Sequence, residues 1–301
     1  IQLYCNQVFV TDSVEGIVPD FLTLLHGVLD SPDIPLNVSR SYLQSDPNVK
    51  KISNHITKKV ADKLETLFKD SREEFESKWD DIKVFIEYGI ISQPEFYDRA
   101  KKFCLLKNSE GKYFTLEEYE NFVKPAQQDK DGQLIYLYAT NQHEQYSFIE
   151  SVKSRGYDVL MMDGILEAHF INTLEQKLEK TRFTRVDSDI VDKLIKKEDV
   201  LPSKLNDDQQ KTIKELFEQQ IDAKKFTLVF ESLSEKDAPL LITQNEFMRR
   251  MKDMSALGGG GYGFMGEMPE NYNVVINSNH PVIGRLLTDT DTEKQTGAIK
   301  H

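Results

Sequence analysis

The sequence predicts a mixed fold in two parts. Residues 1–195 form an α/β segment with a helical region and a small parallel α/β unit, and residues 196–301 form a smaller α+β segment. Three observations predict this. Val49, Ile52, Ile56, Val60, Leu64 and Leu67 recur at spacings of three and four, the mark of one apolar helix face. From residue 133 strand and helix patterns alternate, as in parallel strands joined by right-handed helical crossovers. A charge-rich stretch from Lys193 to Lys204, containing Pro202, then separates that unit from a different order of elements.

The elements follow in order. IQLYCNQVFV has the composition of an opening strand, and GIVPDFLTLLHGVLD is a short helix-like apolar stretch. Pro32, Pro35 and Pro47 mark the next residues as a loop, because each lacks a donor and fixes φ. Asp46 suits the N-cap of a long helix and Pro47 its first position. Further helices are predicted at Trp79 to Ile86, Gln93 to Leu105 and Thr115 to Val123. Thr115 precedes Glu118 by three residues in a capping-box pattern. QLIYLYA and YDVLMMD are strands, alternating with the helices HEQYSFIESVKSRG and ILEAHFINTLEQKLEK. Beyond the boundary come a helix from Asp207 to Ile221, strands KFTLVFESL and PLLIT, a helix from Asn245 to Met254, and strand NYNVVIN.

Composition excludes several functions. Lys plus Arg total 38 against 50 Asp plus Glu, a formal charge of −12, whereas nucleic-acid or anionic-membrane partners call for a basic face. No apolar run reaches the roughly 18 residues of a membrane span. Cys5 and Cys104 lie far apart, so neither a disulfide framework nor a zinc site is predicted, and a cytoplasmic location is expected. Ile1 is not a start methionine, and TEKQTGAIKH carries no packing signal, so the sequence is expected to be part of a longer chain.

Four features invite a chemical reading. The six histidines are scattered, and His143-Glu144 lacks a zincin's second histidine because Ser147 stands there; no metal is expected. Gly261-Tyr-Gly263-Phe-Met-Gly266 matches the dinucleotide fingerprint, but a helix enters it and a strand leaves, the reverse of the required context. In LNVSRSYLQSDP, Arg40 precedes a predicted helix start, where free N–H groups attract phosphate. Its guanidinium adds a fork for phosphate oxygens, Gln44 can orient a water or phosphate oxygen, and Asn37 can support the loop; an ordinary surface arginine is the alternative. Finally, Met248, Met251, Met254, Met265 and Met268 cluster. Phe247, Met251 and Met254 share a helix face, with Met248 beside them, which forms either a small core or a tolerant surface for apolar partners.

Several strings together resemble a known family. VFVTD, PDFLTLLHGVLDSPDIPLNVSRSYLQ and VKKISNHITKKVADKL are similar, in that order, to the middle domain of the 90-kDa heat-shock chaperones of bacterial HtpG type. The family pattern GVVDSxDLPLNxSRExLQ is met by Gly27, Val28, Asp30, Ser31, Asp33, Pro35, Leu36, Asn37, Ser39, Arg40, Leu43 and Gln44. YDVLMMDGILEAHFINTL and NVVINSNHPVIGRLL look like later family segments, so the resemblance spans essentially the whole chain.

The resemblance implies a middle domain over residues 1–195 and a C-terminal domain over 196–301 that lacks its last dimerisation helices. It places γ-phosphate contacts on Arg40 and Gln44, with Asn37 supporting, acting on ATP and magnesium held by an N-terminal domain absent here. It identifies the Phe247, Met248, Met251 and Met254 helix as a surface for unfolded or partly folded clients. Ile165-Leu166-Glu167-Ala168-His169 replaces the family's Ile-Asp-Glu-aromatic string, and Phe170 is expected to substitute as a client contact. The longer protein is expected to be a homodimeric ATPase, whereas these residues alone should hold no cofactor and hydrolyse no ATP. Two other classes are a non-enzymatic scaffold binding one partner through the Met-rich helix, and a self-contained phosphotransferase using Arg40.

Overall fold

The computed structural model describes residues 1–12, 17–23, 26–32, 47–189, 191–195, 201–223, 225–235, 237–244, 246–247, 249–251 and 271–288. The chain divides into two compact units. One comprises residues 1–107, 111–119 and 169–176, the other residues 108–110, 120–168 and 177–301. The fold is mixed α/β with several small sheets, as the sequence predicts, and the expected 195/196 boundary falls inside the second unit.

The first unit opens with a hairpin rather than one strand. β1 (Gln2–Cys5) and β2 (Val8–Thr11) pair antiparallel, and between them Asn6 and Gln7 both have positive φ, 50° and 65°. Two successive left-handed residues fit the right-handed twist of a tight hairpin, and asparagine tolerates that conformation better than most. Among its described residues, the stretch expected to be helix-like contains a short 3₁₀ turn, Asp20–Leu22, and then β3 (Val28–Asp30), which pairs parallel with β1. The Asp30 carboxylate accepts from the Gln7 N–H at 3.0 Å, tying the turn to β3.

Pro47 begins α1 (Pro47–Asp70), in agreement with the sequence. Val49 is buried with Leu3 and Ile17, Ile52 packs against that cluster, and Leu67 at the far end of the expected stripe is exposed. α2 (Arg72–Ser77), α3 (Trp79–Ser92) and α4 (Pro94–Ala100) follow. Phe75, Phe96 and Phe103 form an aromatic cluster, with ring centroids 6.3 Å and 6.4 Å apart around Phe103. The predicted Gln93–Leu105 helix stops at Ala100, and the chain re-forms as β4 (Leu105–Lys107), paired with β5 (Tyr113–Thr115). α5 (Leu116–Gln127) begins next, and its predicted capping box is present: Thr115 N–H donates to Glu118 at 2.8 Å, and Glu118 N–H to the Thr115 hydroxyl at 3.3 Å.

In the second unit all six residues of β6 (Leu134–Ala139) are buried. β6 is the central strand of a parallel sheet ordered β7-β6-β8. α6 (Tyr146–Lys153) leads to β7 (Val159–Met161), and α7 (Glu167–Lys177), of which residues 169–176 belong to the first unit, connects in sequence to β8 (Thr181–Arg185). Ile135, Leu137, Ala139, Ile149, Val152 and Val159 form one core. Tyr136 and Phe183 meet edge to face at 5.2 Å. The sequence pattern does not reveal β8, because TRFTR carries two arginines that mask its buried alternate positions.

A second sheet, ordered β10-β11-β9, follows the short helix α8 (Val191–Leu194). α9 (Asp207–Glu218) ends before the expected Ile221 and has a reciprocal capping box between Asn206 and Gln209. β9 (Phe226–Glu231) pairs parallel with β11 (Tyr272–Asn277), which pairs antiparallel with β10 (Leu240–Thr243). Ile213, Phe217 and Ile276 pack with Ile283 and Leu286 of α10 (Pro281–Thr288), a helix the sequence pattern leaves unassigned. The expected helix from Asn245 appears as helical residues 246–247 and 249–251.

Candidate functional site

The sequence-predicted residues are distributed unevenly. Asn37, Arg40 and Gln44 fall in the stretch 33–46 between β3 and α1, outside the described residues, as do Met248 and Met254. Phe170 is 1% exposed, against the expectation of a client contact. It lies in α7 beside buried Ile171, with Leu174 buried one turn on, so its ring belongs to an apolar helix face inside the protein. The exposed apolar residue near the start of that helix is Ile165. Phe247 is 68% exposed, and Met251, four positions on and on the same helical face, is half-buried.

The turn that carries Phe247 is held by Glu246, Arg249 and Arg250. The Glu246 carboxylate accepts from the Tyr138 hydroxyl at 3.2 Å and from the Arg185 backbone N–H at 2.8 Å. Arg250 Nε donates to the same carboxylate at 2.9 Å, an i,i+4 pair with the acid N-terminal, the favourable order. Arg250 also donates to the Phe183 carbonyl at 2.7 Å, and its guanidinium lies 5.9 Å from the Tyr138 ring centroid. Beside this set, Arg249 bonds Asp187, whose carboxylate also lies 3.0 Å from Arg185 Nε.

These partners come from particular places. Tyr138 lies near the carboxyl end of β6, Phe183 in the middle of β8, Arg185 at the carboxyl end of β8, and Asp187 just beyond it. Charge-assisted bonds of this kind are short and directional. Both members of the Arg250–Glu246 pair are largely buried, with side-chain exposures of 14% and 11%. Burial, and then the neighbouring Glu246 carboxylate, raise the Tyr138 phenol above its ordinary value, so it stays protonated and donates. A polar hollow of about 440 Å³ adjoins the cluster, lined in part by Asp129, Arg182, Asp189, Lys193, Glu246 and Phe247.

Sequence reasoning finds the apolar face of this turn and misses the polar one. The Glu246–Arg250 spacing is a readable signal, but Tyr138 lies 108 positions from Glu246 and Arg185 lies 61 away, beyond any local pattern. Among the described residues no group of three or more His, Cys, Asp or Glu side chains gathers as metal ligands would. No helix among them is long and apolar enough to cross a membrane.

Comparison with known proteins gives the class. The model of the family described as Hsp90 protein matches residues 1–301, and the chain belongs to that family. Over 296 residues it is 55% identical to the chaperone protein HtpG of Bacteroides fragilis strain YCH46, a match covering 97% of this chain and 43% of that protein. It is 56% identical over 291 residues to the HtpG of Porphyromonas gingivalis strain W83, covering 96% of this chain and 42% of the relative. The HtpG of Rickettsia akari is 26% identical over 303 residues. The chain spans less than half the length of these relatives. Membership in a chaperone family does not favour the single-partner scaffold.

Proposed function

We propose that this chain is the middle and C-terminal part of an ATP-dependent chaperone, and that it holds unfolded or partly folded proteins on the face bearing Phe247, Met248, Met251 and Met254. The observation that carries this reading is the Phe247 ring, 68% exposed on a turn that is itself fixed by buried charge-assisted bonds. An exposed aromatic on a held backbone gains apolar burial on binding while losing little further freedom, and neighbouring methionines adapt to varied partners. Fully burying such a ring contributes about 1.5–3 kcal/mol. Phe247→Ser is therefore expected to weaken the binding of a reduced, carboxymethylated unfolded protein by at least about tenfold. Unchanged affinity would remove Phe247 from the client surface.

In the same reading Arg40 and Gln44, with Asn37 beside them, contact the γ-phosphate of ATP bound with magnesium by another domain of the longer, homodimeric, cytoplasmic protein. The support is the match of the Asn37-to-Gln44 string to the family pattern, together with family membership across the chain. A guanidinium aimed at a phosphate oxygen stabilises the charge that develops on transfer to water. Arg40→Ala in the longer protein is expected to lower the rate of ATP hydrolysis by at least about a hundredfold. A rate within a factor of two of the parent would overturn this assignment.

A further inference from the structure

Open parallel α/β sheets receive ligands in the crevice beyond the carboxyl ends of their strands. In the sheet ordered β7-β6-β8 the neighbouring parallel strands β6 and β8 present such ends side by side. β6 connects through α6 towards β7, and β7 connects in sequence through α7 to β8 on the other flank of β6. The crevice at this point holds a carboxylate from the chain itself, that of Glu246. Its oxygens accept from the Tyr138 hydroxyl of β6 at 3.2 Å, the Arg185 N–H of β8 at 2.8 Å, and Arg250 Nε at 2.9 Å.

We infer that the β6/β8 crevice is a carboxylate-binding site occupied by the chain's own Glu246, and that this occupancy positions Phe247 for client binding. The inference rests on the client reading of Phe247 for its functional half only. Glu246 immediately precedes Phe247 in sequence, so fixing its side chain in the sheet fixes the backbone from which the ring projects. Arg250, one turn later, closes the same grip by donating to the Phe183 carbonyl at 2.7 Å. Removing the Glu246 side chain leaves the Tyr138, Arg185 and Arg250 donors without their acceptor, which is the condition under which a small free carboxylate can take its place. Glu246 is a positioning residue here, acting on clients through Phe247.

The test uses Glu246→Ala and Glu246→Gln in the full-length protein, with amide hydrogen exchange across residues 246–251 and titration with the reduced, carboxymethylated protein. Glu246→Ala should speed exchange there and weaken client binding, each by about tenfold, the equivalent of about 1.4 kcal/mol. Acetate should restore part of both at constant ionic strength, and chloride should restore neither. Glu246→Gln, which keeps the acceptor oxygen and loses the charge, should fall between parent and alanine variant; it also serves if Glu246→Ala does not fold. Parental exchange in both variants overturns the inference, as does equal response of the alanine variant to acetate and chloride. If Phe247→Ser leaves client affinity unchanged, the client reading fails, while the exchange and acetate results still decide whether the crevice binds carboxylates.

Discussion

Each unit contains an arginine–carboxylate grip, and the two differ in what surrounds them. In the first unit Arg72 donates to Glu118 from two nitrogens, at 2.5 and 2.8 Å, but the two side chains remain 38% and 42% exposed. In the second unit Arg250 and Glu246 are largely buried, and Tyr138 and the Arg185 N–H complete the carboxylate's shell. Water can replace either partner of the first grip at little cost, and exposed pairs contribute about 0–1 kcal/mol. It cannot easily replace a partner of the second, and removing one leaves a buried charge uncompensated. The exposed grip therefore caps a helix, whereas the buried one dictates where a distant segment must sit.

The largest effect is expected from Arg250→Ala. It strands the Glu246 carboxylate in the β6/β8 crevice and should cost the second unit about 3 kcal/mol, read as a lower urea midpoint for a second-unit probe. Tyr138→Phe removes one hydrogen bond to that carboxylate and should cost about 1–2 kcal/mol by the same measurement. Glu118→Ala, which removes the Arg72 pair and half of the capping box together, should cost the first unit about 1 kcal/mol. If Glu118→Ala costs as much as Arg250→Ala, burial is not what separates the two grips.

Titration should separate them as well. The Arg72 hydrogen bonds hold Glu118 below the ordinary carboxylate value of 4.5, against a smaller opposing effect of burial. A depressed folded value stabilises above the unfolded one, so this contribution should fade as pH falls below about 4.5, and Glu118→Gln should remove that acid dependence. The Tyr138 phenol is raised from its ordinary 10.0, chiefly by burial. Its contribution is intact below that value and should be lost as pH rises beyond it, and Tyr138→Phe should flatten this alkaline limb. Urea midpoints across pH for the parent and both variants check the pair, and this is the smallest effect expected.

The same contrast explains what is legible in the sequence. The first-unit grip is partly local: Thr115 and Glu118 sit three residues apart, and that spacing alone announces their capping box. The α1 start at Pro47 and the β6–α6–β7 alternation are also visible, because period and capping signals act over a few residues. The opening hairpin reads as one strand, because Asn6-Gln7 lacks the glycine that usually marks such a turn. β8 is hidden by Arg182 and Arg185, the latter placed at the strand end where Asp187 receives it. Phe170 resembles a surface aromatic only because the burial of its helix face depends on packing that no local pattern records. At the candidate site, the Phe247–Met251 and Glu246–Arg250 spacings can be found locally, whereas the exposure of Phe247 shows only in the folded chain and the crevice that receives Glu246 exists only once β6 and β8 are neighbours.

The central claim, that Glu246 serves clients by positioning Phe247, is tested most directly by a double-mutant cycle on the affinity for an unfolded protein. Glu246→Ala and Phe247→Ser are measured singly and together in the full-length protein. If the carboxylate acts only through the ring, adding Glu246→Ala to Phe247→Ser should weaken binding no further, giving a coupling energy of about 1.4 kcal/mol for a tenfold single effect. Additive losses would contradict the account, because they would mean that the carboxylate in the crevice and the exposed ring reach clients by separate routes.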